Sequence, residues 1–145
     1  MKLSEAIRKG CQAIPDQAVG DYFGEKQTNP PQETTLVLTA CALGAAAYGT
    51  FGVRCFINQS MKNFDDILHK EYEVLSQESI QCPADEKCDF HERLCFKEKH
   101  SLYGLIVHLN DDHTWTRERV ADLVERAYES AEETAQDGVA NHAAN

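Results

Sequence analysis

The chain has 145 residues, 42% of them apolar and 26% charged, enough for one domain with a core of its own. Its 24 acidic residues against 14 basic ones give a net charge of −10, a sign that repels phosphate, argues against a nucleic-acid-coating role and favours a basic protein partner. No apolar signal-peptide core follows Met1-Lys2-Leu3-Ser4-Glu5, so the six cysteines are expected as free thiols or metal ligands rather than as a secreted disulfide framework.

In chain order, Ser4 is expected to cap a short first helix with Leu3 and Ile7 on one face and Gly10 as its stop. Residues 15–33, with Pro15, Gly20, Gly24, Pro30 and Pro31, read as an irregular connector. Residues 34–53 carry no charge over 20 positions, a length that would allow a membrane span. Gly44, Gly49, Gly52, four threonines and many alanines make the segment only weakly hydrophobic, so the expectation is a buried helix over 40–48, opened by Thr39 and ended by Gly49. Phe64, Ile67, Leu68, Tyr72 and Leu75 form one stripe of an amphipathic third helix, with Asn63 as its cap.

Cys82-Pro83 opens a cysteine- and histidine-bearing connector over 81–100, and Ser101 caps a fourth helix carrying Leu102, Leu105, Ile106 and Leu109. Residues 110–115 read as the turn after it. Thr116 has the features of an N-cap, with Trp115 and Val120 placed as a hydrophobic staple and Glu118 in the first turn, where the helix dipole favours an anion. The fifth helix is expected to bury Val120, Leu123, Val124, Ala127 and Ala131. These elements predict a mainly α fold, a small single-domain bundle of about five helices over 1–136, followed by a flexible tail at 137–145.

Three patches carry a resemblance. Met1-Lys2-Leu3-Ser4-Glu5-Ala6-Ile7-Arg8, Cys41-Ala42-Leu43-Gly44-Ala45-Ala46 and the segment from Val107 to Asp122, with His108-Leu109-Asn110-Asp111-Asp112-His113 and Trp115-Thr116-Arg117-Glu118, occur in this order. They resemble the opening, the alanine-rich middle and the C-terminal turn and helix of a group of small proteins of tailed bacteriophages and prophages. The resemblance implies a phage origin and supplies no mechanism.

Zinc takes four soft or borderline ligands in a tetrahedron. Cys82-x5-Cys88 and His108-x4-His113 together offer a Cys2His2 set, and Cys82, Cys88, His91 and Cys95 offer an alternative within 14 residues. Free cysteines, with His113 as a turn-capping side chain, compete with both, as does a Cys82–Cys88 disulfide. Asp111, Asp112, His113 and Glu118 could serve acid–base chemistry, but Asn and Asp at such positions more simply serve turns and helix starts. Cys41, in an alanine-rich helix, reads as a small core residue, and nothing around Cys11 or Cys55 marks an activated thiolate.

From Asp111 to Asp137 there are nine acidic and three basic residues, a net of −6. Glu125, Glu129 and Glu132 are expected on the outer face of the fifth helix, as a solvated surface or as a surface for a basic partner. The leading functional expectation is a non-enzymatic phage-type accessory protein, in the host cytoplasm or the virion, that works by protein–protein interaction and holds a structural zinc. A virion role would add a repeated or self-complementary interface. A small metal-dependent enzyme is the alternative, and it requires an open coordination position. A helix-turn-helix DNA binder has the right connectivity and an acidic recognition helix, which is the wrong charge.

Overall fold

The apolar residues of the first 13 positions recur at helical spacing, and in the computed structural model helix α1 (Leu3–Ala13) buries Leu3, Ala6, Ile7, Gly10 and Cys11 along one stripe. The structure describes residues 1–28, 35–56, 61–84 and 99–129. Within them it is mainly helical, as expected, with α2 (Ala42–Phe51), α3 (Met61–Glu71), α4 (Leu102–Asp111) and α5 (Arg117–Val124) completing a set of five α-helices.

Gly10 does not stop α1, and Gly49 does not stop α2. Both lie inside their helices, where the two helices cross with backbone against backbone. A Cβ on Gly10 would stand 1.9 Å from the Ala45 carbonyl oxygen, and one on Gly49 would stand 2.0 Å from that of Ala6. These glycines permit a close approach, and chain reversal falls to other residues. α1 ends at Ala13 before Pro15, and α2 ends at Gly52, whose φ of +59° suits glycine.

Ser4 is not the cap of α1 either. It is the second residue of the helix and is buried, and its amide and hydroxyl both donate to Glu129. Lys2 is the N-cap, its amide donating to Glu5 at 3.2 Å, and the first turn gains a second carboxylate from the far end of the described chain, placed where an anion meets the helix dipole.

The expected connector at 15–33 contains strands. β1 (Asp16–Gln17) and β2 (Phe23–Thr28) flank β3 (Thr35–Ala40), parallel on one side and antiparallel on the other. The uncharged stretch at 34–53 therefore divides into a strand and a helix, with Cys41 rather than Thr39 as N-cap. Its Sγ accepts from the Gly44 amide at 3.4 Å. Among the described residues no helix is long and apolar enough to cross a membrane.

Asn63 lies within α3 rather than ahead of it. Phe64 and Leu68 of the third stripe are buried and Ile67 is half-buried. Tyr72 and Leu75 are buried too, but they belong to a short 3-10 turn, Glu73–Ser76, and its cap. Strands β4 (Glu78–Gln81) and β5 (Lys99–Ser101) pair antiparallel around the cysteine- and histidine-bearing segment, residues 85–98 of which lie outside the described residues.

Ser101 and Thr116 cap α4 and α5 as expected, accepting from the amides of Gly104 and Arg119. Trp115 and Val120 are both in the core. α4 extends through Asn110 and Asp111, so the turn is shorter than the sequence suggests. A π-helical turn, Glu125–Glu129, follows α5. Leu123 and Ala127 pack against the core, while Ala131 and the tail lie outside the described residues.

Two polar side chains tie sheet to helices. Arg117 is 2% exposed and donates to the carbonyls of Ile14, Pro15 and Ala40, joining the end of α1 to the end of β3. Asn110 is 1% exposed. Its Nδ2 donates to the Ala18 carbonyl and to Asp111, and its Oδ1 accepts from Gln17 and the Ala42 amide. Both satisfy backbone groups that burial would otherwise leave unpaired.

Candidate metal centre

Cys82, just after β4, His108, on the last turn of α4, and His113, in the turn before α5, converge. One ligand atom from each lies within 4.8 Å of the others. Cys82 and His113 are buried, and the His108 side chain is 10% exposed. Cys82 is a free thiol.

Cys82 Sγ stands 3.6 Å from His113 Nε2. Two ligands on one tetrahedral zinc, with bonds of about 2.3 Å to sulfur and about 2.0–2.1 Å to nitrogen, are also separated by about 3.6 Å. Asp112 Oδ2 lies 2.5 Å from His108 Nδ1, so the carboxylate engages one ring nitrogen. The other, Nε2, is buried with no hydrogen-bond partner among the described residues. A buried nitrogen without a partner is costly in an apo protein and is satisfied by a metal.

The backbone helps to aim the ligands. Asp112 and His108 are four residues apart on one helical face. Thr114, between His113 and Trp115, has a φ of +50°. This strained conformation for a β-branched residue lets His113 and Trp115 both turn inward while Thr114 stays exposed. The ring of His100 stacks on His108 at 5.0 Å between centroids, and His113 meets His108 edge-on at 4.8 Å.

Of the sequence-derived ligands, the structure brings together Cys82, His108 and His113. Cys88 and the alternates His91 and Cys95 lie outside the described residues. Asp112, read from sequence as a turn former or an acid–base candidate, instead holds a candidate ligand; its i,i+4 spacing from His108 is the signal that could have shown this. Asp111 accepts from the Gly20 amide and from Asn110, and Glu118 is exposed.

Cys11 and Cys41 are buried, and burial pushes both thiols up to about 11, the reverse of nucleophile activation. Burial also raises Cys55.

The acidic face requires a correction. Glu129 is 5% exposed and bound to Ser4, so it is not on the outer surface. The cause is the π-helical turn at the end of α5: its extra residue rotates position 129 inward, off the regular helical phase. Glu125 is exposed and pairs with Arg8 at 2.6 Å, beside Asp122 at 2.7 Å. These partners hold the Arg8 guanidinium above its ordinary pKa. Glu132 lies outside the described residues.

This Cys–His–His cluster, with a carboxylate behind one imidazole, could hold a metal ion. No protein-family model matches the chain, no curated protein matches its sequence, and no solved structure matches its fold.

Proposed function

We propose that the chain is a non-enzymatic, phage-type accessory protein that acts by binding another protein, and that a zinc ion at Cys82, His108 and His113 fastens the β4–β5 region to α4 and to the turn before α5. The observation that carries the metal reading is the convergence of the three side chains, with Cys82 Sγ and His113 Nε2 at the separation of two tetrahedral ligands. The phage attribution rests on the three sequence patches. The binding role rests on the net charge of −10, which favours a basic partner.

The alternative, a small metal-dependent enzyme, requires a coordination position open to water or substrate. Against it, Cys82 and His113 are buried, which limits access for a substrate.

The test is elemental analysis of protein purified without chelator, followed by cobalt substitution. About one zinc per chain and a lowered unfolding midpoint after chelation are expected, with about 2.7 kcal/mol of stabilisation regained when free zinc reaches a hundred times its Kd. A cobalt spectrum of four-coordinate type with four protein ligands supports the structural site. One with an exchangeable water, displaced by added azide, transfers support to the enzyme. No metal at all removes both.

A further inference from the structure

We infer that Asp112 is the positioning residue of this centre. It holds His108 as the Nδ1–H tautomer, so that a lone pair on Nε2, and not a proton, faces Cys82 and His113. The inference rests on the metal reading above and adds to it the identity of the ligand atom and the group that selects it.

The chemistry follows from the partners. An ionised carboxylate only accepts hydrogen bonds, so the 2.5 Å contact of Asp112 Oδ2 with His108 Nδ1 requires the proton to be on Nδ1. In the neutral ring Nε2 is then a bare acceptor. It is buried without a hydrogen-bond partner among the described residues, on a side chain only 10% exposed. A lone pair that no donor of the described residues occupies stays available to an ion held with Cys82 and His113.

The ring has little freedom to turn away. His100 stacks against it with 17° between the planes, and the His113 ring stands at 90° to it. The helix fixes the pair, because Asp112 follows His108 by four residues and its own amide donates to the His108 carbonyl at 2.9 Å.

The experiment uses the full chain in three forms, wild type, Asp112→Ala and Asp112→Asn, each shown to be folded by circular dichroism. The tautomer of His108 is read in metal-free protein from the ring-nitrogen shifts in long-range proton–nitrogen NMR. Zinc affinity is read by competition with a chromophoric chelator. We expect Nδ1–H in the wild type and a shift toward the Nε2–H tautomer in Asp112→Ala, with zinc affinity lowered about 10–100-fold. Asp112→Asn keeps an oxygen that can accept from Nδ1, so it should retain the tautomer and lose less affinity. That rescue separates positioning from a loss of fold. Wild-type tautomer and wild-type affinity in Asp112→Ala would overturn the inference and leave the metal centre standing. A wild-type chain that binds no zinc would overturn the metal reading and this inference with it.

Discussion

Trp115 is 7% exposed and its amide donates to the Leu109 carbonyl at 2.9 Å, which closes the turn between α4 and α5. The Arg119 guanidinium lies 3.6 Å from the centroid of its ring. Trp115→Ala should cost about 3–5 kcal/mol in urea unfolding, the range for truncating a buried large aromatic. A loss below about 1 kcal/mol would show that the ring contributes little to the core. At the other acidic residues, burial separates two glutamates that sequence alone treats alike. Glu125→Lys removes an exposed ion pair with Arg8 and should cost less than about 1 kcal/mol. Glu129→Lys removes the acceptor of the Ser4 amide and hydroxyl and buries a cation against the N-terminus of α1, so it should cost more than about 3 kcal/mol. Equal unfolding midpoints for the two variants would contradict the burial of Glu129. The caps Ser101 and Thr116 were legible in the sequence because capping is local, whereas the pairing of Ser4 with Glu129 spans almost the whole described chain.

The crossing of α1 and α2 depends on glycine at the points of closest approach. Gly49→Ala should destabilise by about 1–3 kcal/mol, although alanine is the better helix former, because the new methyl meets the Ala6 carbonyl and the helices must move apart. Gly104→Ala, inside α4, is the control. Its Cβ would meet nothing closer than the Ser101 hydroxyl at 3.4 Å, so propensity should prevail and the variant should gain up to about 1 kcal/mol. Thermal unfolding of both variants decides it: the same sign at the two sites would mean that packing does not distinguish them. The helices themselves were largely readable, since stripes such as Leu102, Leu105, Ile106 and Leu109 bury as the 3.6-residue period requires. The sheet was not. The run Thr35-Leu36-Val37-Leu38-Thr39 is rich in strand formers and could have signalled β3. β1 and β2 offer no such run, and they are strands because β3 lies beside them.

Across the whole molecule, buried acidic groups link stability to pH. Cys11 and Cys41 ionise only near 11 in the folded chain, against an ordinary value of 9.0, because burial penalises the thiolate. Tyr103 is pushed up to about 12, chiefly by burial, and Tyr22, which is hydrogen-bonded to Asp65 and Tyr103, is raised further by the same cause. Between pH 9 and about 11 the unfolded chain therefore binds fewer protons than the folded one, and stability falls as pH rises. The cysteine contribution is complete below pH 9 and lost by about 11. Urea midpoints at pH 8 and pH 10.5 should differ in that direction, with Cys11 and Cys41 alkylating slowly at pH 8 in the folded state. A midpoint that rises with pH would be inconsistent with buried, protonated thiols.

The sequence by itself determined the helical class, the caps of α4 and α5 and the buried stripes of α1, α4 and α5, because these follow from interactions within a few residues. It also named Cys82, His108 and His113 together as candidate metal ligands, and the structure brings these three to one place. Only the tertiary structure decided that Asp112 stands behind His108, that Gly10 and Gly49 are crossing points rather than helix stops, and that Glu129 turns inward. Each of these except the Asp112 contact depends on chain segments distant in sequence meeting in space. Asp112 lies within helical reach of His108, but its role appears only once Cys82 and His113 give that histidine something to face.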